Sequence, residues 1–226
     1  MQNLSQTPGD TPGDTVRESG ATTTARGSLL SDETPTRGAP AMSIICAYIS
    51  PRSGVVASDG RRFASARYEH GKLTAPPESD DSDKTFALKD GQVVGAYCGL
   101  LAFGGRDVSA HIAEIADSVA QGCRDLAALS EAIAAGLSGR LTQIDPDEVL
   151  FCFRTTEVLI VGGEHFTRKD MRIVYLRFFP EQDKIQTVVD LQHADPGGKR
   201  FYVRGECKAQ AAAEQLFQAD QRPSTM

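Results

Sequence analysis

The apolar period of this chain changes twice, and those changes restrict the folds open to it. After Gly104-Gly105 the residues Val108, Ile112, Ile115 and Val119 recur at helical steps, and Gly122 suits the stop of that helix. Leu126, Leu129, Ile133, Leu137 and Leu141 make a second helical stripe that ends near Asp145-Pro146. On both sides of this pair the pattern is that of strands. Downstream strands are expected at about 149–161, 171–179, 184–191 and 200–204, with Gly162-Gly163 and the 180–183 turn separating three of them. A last helix is expected from near Lys208, with Ala209, Ala213, Leu216 and Phe217 inward and a stop before Pro223. Strands, two helices, strands and a helix suit an α+β protein whose antiparallel sheets pack with helices in layers.

Upstream, S-I-I-C-A-Y-I-S and G-V-V-A-S-D predict two strands, about 43–50 and 54–59, joined by the turn P-R-S-G. The polar stretch 61–83 carries A-P-P-E-S-D-D-S-D and reads as a mobile loop. K-T-F-A-L, a D-G turn at 90–91 and Q-V-V-G-A-Y-C-G then read as a hairpin.

Residues 1–42 differ from the rest: T-P-G-D occurs twice, and the larger aliphatics are Leu4, Val16, Leu29 and Leu30. Such a segment buries too little apolar surface to offset its ordering entropy, so it is expected to be disordered. It is either a propeptide removed at Met42–Ser43 or a stretch upstream of a true start at Met42; Met-Ser is a form from which the initiator methionine is readily trimmed, which favours the second. Both routes leave Ser43 with a free α-amine and a folded domain over 43–226.

Composition excludes several classes. The 24 Lys+Arg against 30 Asp+Glu give a net charge of −6, which argues against a nucleic-acid partner. No apolar stretch approaches the roughly 18 residues of a membrane span, and the first residues lack the pattern of a secretory signal. Five cysteines (46, 98, 123, 152 and 207) are an odd number without C-x-x-C spacing, and the four histidines are scattered. They read as reduced thiols of a cytoplasmic protein, with no metal site and no cofactor. Cys98, in an apolar strand with no histidine beside it, reads as core.

Ser43 is the residue with the most chemical promise. A free α-amine has a reference pKa of about 7.7–8.0, so it can act as base for the hydroxyl of its own residue. Around it, G-V-V-A-S-D-G-R and K-T-F-A-L-K-D-G-Q-V-V-G-A-Y-C-G-L-L-A-F-G-G-R-D resemble proteasome β-subunits, and V-L-I-V-G-G, Y-L-R-F and F-Y-V-R-G match later segments more loosely. The chain is therefore similar, over about 43–217, to the N-terminal nucleophile (Ntn) hydrolases, in particular the bacterial proteasome-like peptidases. The resemblance implies a four-layer αββα sandwich, apparently short at its C-terminus. It also implies hydrolysis of a peptide or amide through a Ser43 acyl-ester. Asp59, sixteen residues after Ser43, would hold Lys84 charged. The Arg61 backbone would help fix that lysine, and the Gly99 N–H would face the oxyanion. The implied partners are copies of the same chain in a ring or stacked assembly, a peptide or unfolded-protein substrate, and an ATPase left unspecified.

The sequence departs from that family in three places. Serine replaces the usual threonine, whose branched Cβ restricts χ1 and pre-aims the hydroxyl. Gly205 is followed by Glu206 and Cys207 where the family tends to carry a supporting serine. The later helix and strands that would bring an Asp and a Ser to the amine have no counterpart in these residues. Two alternatives thus stay open: a proteasome-like subunit without chemistry, and a self-processing or small-amide hydrolase without a ring.

Overall fold

The computed structural model describes residues 43–60, 81–194 and 198–205, the backbone of short strands between 62 and 79, and one helical residue, Gln215. The expectations for residues 1–42, for Arg61 and for the rest of the helix beginning near Lys208 lie outside the described residues.

The chain opens with β1 (Ile44–Ser50) and β2 (Ser53–Ser58), paired antiparallel from Ile45–Ser58 to Ser50–Ser53. The stretch expected to be a loop instead carries four short strands: β3 (Arg62–Phe63), β4 (Arg67–Glu69), β5 (Lys72–Thr74) and β6 (Pro77–Ser79). β4 pairs with β5 and β3 with β6, each antiparallel. Tyr68 and Thr74 are residues that favour extended backbone. The polar composition of the segment had hidden this.

β7 (Thr85–Leu88) and β8 (Val93–Gly99) form the expected hairpin. Its turn places Lys89, Asp90 and Gly91 in the left-handed region, at φ of 52°, 53° and 79°. A two-residue hairpin, β9 (Ala102–Phe103) with β10 (Arg106–Asp107), leads into α1 (Val108–Val119). α2 (Leu126–Thr142) follows, and the Asp125 carboxylate caps it by accepting from the Ala128 N–H at 2.8 Å. All five residues of the second apolar stripe are at most 1% exposed. Burial on that scale stabilises each by about 1.5–3 kcal/mol relative to exposure.

The next strand starts later than the apolar run suggested. Residues Phe151–Phe153 form a 3-10 turn, and β11 occupies Thr156–Gly163. The cause is Arg154, which is 2% exposed and whose guanidinium donates to the carbonyls of Leu141, Thr142, Ile144 and Val149 at 2.7–3.3 Å. That fork satisfies carbonyls at the end of α2 and folds the chain back on them. Val149 and Phe151 then pack against the helix-side core rather than entering a sheet. β12 (Met171–Glu181), β13 (Lys184–His193) and β14 (Arg200–Gly205) complete the strands. Gly162 and Gly163 lie inside β11, opposite Arg172 and Met171, and not in a turn. Pro180 and Glu181 likewise lie inside β12, so the reversal is the pair Gln182-Asp183, at φ of 48° and 53°.

The main strands make two antiparallel sheets, one ordered β13-β12-β11-β8-β7 and one ordered β14-β1-β2. Alternation along the strands explains how they stack. Val93 and Tyr97, Val158 and Ile160, and Val174, Leu176 and Phe178 face α1 and α2 in one core. The intervening residues Ala96 and Cys98, Leu159 and Val161, and Ile173 and Tyr175 face the other sheet. There they meet Ile45, Ala47 and Ile49 of β1. The central strands β8, β11 and β12 are thus buried on both faces, which is why they read as nearly continuous apolar runs. The protein is α+β, with antiparallel sheets and helices packed in layers.

Candidate active site

Ser43 stands immediately before β1, and the parity of that strand decides where it points. Ile45, Ala47 and Ile49 face inward, so Ser43 shares their face. The chain end of β2 is tied to the same place: the Asp59 N–H donates to the Ile44 carbonyl at 3.1 Å. The Asp59 carboxylate returns the contact by accepting from the Ile44 N–H at 3.3 Å. The turn between β1 and β2 is tighter than the expected P-R-S-G, since Ser53 and Gly54 already pair with Ser50 and Ile49 and leave only Pro51-Arg52 between the strands. This hairpin delivers a hydroxyl and a carboxylate to one spot.

Lys84 arrives from the other sheet, on the residue before β7. Its carbonyl accepts from the Tyr97 N–H at 3.0 Å, which sets its height along β8. Its Nζ donates to Ser43 Oγ at 3.0 Å and lies 3.1 Å from Asp59 Oδ1. Lys84 is 1% exposed and Asp59 24%. A buried ammonium is expensive without a counter-charge and acceptors, and the carboxylate and the hydroxyl supply both. The structure thus brings Ser43, Asp59 and Lys84 into one bonded set. Arg61 is outside the described residues.

Gly99 reaches this region through the hairpin, two residues beyond Tyr97. It ends β8 at a φ of 90°, opposite Thr156. A side chain there would run into the Thr155 carbonyl, and that carbonyl accepts from the Leu100 N–H at 2.8 Å. Glycine is required by the backbone path itself.

The thiol of Cys98, the residue before Gly99, is 4% exposed and is pushed well above its ordinary range, first by burial and then by Glu157. It donates to Glu157 Oε2 at 3.9 Å. A thiol held protonated is no nucleophile, in keeping with its reading as core.

Two residues were given no part in the site by the sequence. Gly205 pairs with Ile44 at a φ of 123°, and a Cβ on it would collide with the Ser43 carbonyl and the Ile44 Cα. It lets β14 close onto the backbone that carries the hydroxyl, and a glycine ending F-Y-V-R-G was the available signal. Glu157, 19% exposed, is a carboxylate inside an otherwise apolar strand. Its place in T-E-V-L-I-V was equally visible.

Among the described residues, no three His, Cys, Asp or Glu side chains converge as a metal set. No helix of the described residues is long and apolar enough to cross a membrane. No family model matches the chain, and no curated protein matches it.

Proposed function

We propose that the chain is a proteasome-β-like Ntn hydrolase that cleaves a peptide or amide through an acyl-ester on Ser43. The observation that carries this reading is the 3.0 Å bond from Lys84 Nζ to Ser43 Oγ, with Asp59 3.1 Å from the same nitrogen. Once Ser43 is the first residue, its neutral amine accepts the Oγ proton and Oγ attacks the scissile carbonyl. The Lys84 ammonium stabilises negative charge developing on Oγ, and the Gly99 N–H receives the oxyanion, a donor worth about 2.7–4 kcal/mol in other acyl-transfer sites. The protonated amine gives its proton to the departing amine of the substrate. Water, deprotonated by the same α-amine, then releases the acyl group as a carboxylic acid.

The layered sheets and the helix pair support a four-layer αββα sandwich. Val188 and Val189, 45% and 46% exposed on the edge strand β13, suit a cytoplasmic homo-oligomeric assembly that covers them. Light scattering tests this: a monomer at micromolar concentration refutes the assembly and leaves the Ser43 chemistry standing.

The decisive experiment is acylation by an electrophilic amide-hydrolase probe, followed by intact mass. The expected result is a single adduct on protein whose mass corresponds to residues 43–226, absent in Ser43→Ala. Unlabelled protein with Ser43 at its N-terminus refutes the reading. A second reading is a proteasome-like subunit without chemistry, favoured by Glu206-Cys207 standing where a supporting serine is expected. Material from cells that retains Met42 supports it.

A further inference from the structure

Apart from Asp59, the described residues place a second carboxylate at the same end of the inter-sheet layer. In β11 the inward residues are Glu157, Leu159 and Val161, and in β8 they end at Cys98. At the far end of the layer Gly54 abuts Val161, Met171 and Ile49, which fixes how β1 lies along β11. Counting back two residues at a time along both strands puts Ala47 level with Leu159 and Ile45 level with Glu157, and Ser43 is the next residue of that face. The strand order β11-β8-β7 puts Cys98 between Glu157 and Lys84, and both of these residues and Asp59 act electrostatically on its thiol.

Glu157 is also held. The Cys98 thiol donates to its Oε2 at 3.9 Å, Arg177 Nε lies 3.7 Å from its Oε1, and the Tyr175 hydroxyl bonds to it. Arg204, one residue before Gly205, lies over the rings of Tyr175 and Tyr202 at 5.0 and 4.5 Å. Among the described residues, the charged groups facing this end of the layer are Asp59, Lys84, Glu157, Arg177 and Arg204, with Asp190 accepting from the Tyr202 hydroxyl at 3.4 Å beside Arg204. The thiol, a guanidinium and a tyrosine hydroxyl fix the carboxylate without neutralising it, since Arg177 is 40% exposed and its charge is shared with water.

We infer that Glu157 is a positioning residue for the Ser43 amine, an anion across Cys98 from Lys84 that offsets the lysine charge and steadies the ammonium formed when Oγ loses its proton. This rests on the reading of Ser43 as an N-terminal nucleophile. Lys84 alone would drive the amine toward its neutral form and make it a weak base. With Glu157 ionised, the amine keeps enough basicity to take the Oγ proton near neutral pH.

The test uses protein begun at Met42, which contains every described residue and leaves Ser43 first after methionine excision. The titration midpoint of the Ser43 amine is followed by NMR on serine-labelled protein, assigned by its absence in Ser43→Ala. Probe acylation against pH is measured in parallel. Glu157→Gln is expected to lower both midpoints by about 0.5–1 pH unit, and Glu157→Asp to restore most of the shift. An unchanged amine midpoint in Glu157→Gln overturns the inference, as does an equal shift in Glu157→Asp, which would mark a packing effect. If wild-type protein is never acylated, the hydrolase reading fails, while the NMR midpoint still decides the role of Glu157.

Discussion

Replacing Asp59 by asparagine isolates the charge at the centre of the site, because the amide oxygen can still accept from the Ile44 N–H at the 3.3 Å position of Oδ1. What is lost is the counter-charge of an ammonium that is 1% exposed. At the 3.1 Å separation of the pair, Coulomb attraction is about 5 kcal/mol for an effective dielectric constant of roughly 20. Desolvation opposes most of that attraction, so the pair itself contributes little net stability. Its one-sided removal is another matter, since Lys84 stays buried without its anion. Such losses run to about 3–5 kcal/mol, and the 24% exposure of Asp59 puts this case near the lower end, about 3 kcal/mol.

Lys84→Met is expected to cost less, about 1–2 kcal/mol, because the surviving carboxylate touches water and keeps the Ile44 N–H. The double variant should then cost no more than Lys84→Met alone, a coupling energy of about 3 kcal/mol. Urea unfolding at pH 7 measures all three, and Asp59→Asn should melt about 6–12 °C below wild type. If the two single losses simply add in the double variant, with coupling under about 0.5 kcal/mol, the buried-pair reasoning is refuted.

Gly205→Ala forces a side chain at a φ of 123° against the Ser43 carbonyl, so it should cost about 2–3 kcal/mol and abolish probe labelling; full labelling would show that β14 does not hold Ser43 in place. Arg154→Met strips one guanidinium from four carbonyls and should lower stability by about 2–4 kcal/mol in urea, while loss below about 1 kcal/mol would mean that water replaces it fully. Glu114 is held at about 2 by bonds from Arg140 and Arg106. Its folded pKa is depressed, so its stabilisation is complete above the unfolded value of about 4.3 and is lost as pH falls toward about 2. Glu114→Gln should flatten that acid limb of a pH–Tm profile and lower the neutral plateau by the same small amount, because the pair is exposed, with the two proteins converging near pH 2; an unaltered profile refutes the assignment.

Most of the fold was legible because its elements carry their own period. Leu126, Leu129, Ile133, Leu137 and Leu141 announce α2, and all are buried. The β7–β8 hairpin follows from D-G between two apolar runs. Misreadings occurred where a tertiary partner overruled a local pattern. V-L-F-C-F looks like a strand until a buried arginine collects the carbonyls around it, and one arginine in a sequence carries no sign of burial. The short strands β3 to β6 were missed for the opposite reason: their polar sequence carries no hydrophobic alternation to mark them.

The site was legible for a different reason, and that reason limits what its geometry means. Ser43 and Asp59 are joined by a hairpin, so their meeting is local and spacing alone could suggest it. Lys84 is not local; it must cross from one sheet to the other, and only stacking of the two sheets brings it within 3.0 Å of Ser43 Oγ. A lysine that merely ended a strand would leave its amine in solvent and bury its stem, at almost no cost. Here the charged end itself is buried, the costly choice, and the anion it needs comes from the hairpin that carries the hydroxyl. Stability alone gives little reason to keep such a pair, since an apolar pair of similar volume would hold the sheets as well or better. A cation fixed on a serine oxygen is therefore most simply understood through what that oxygen does once the amine beside it is free.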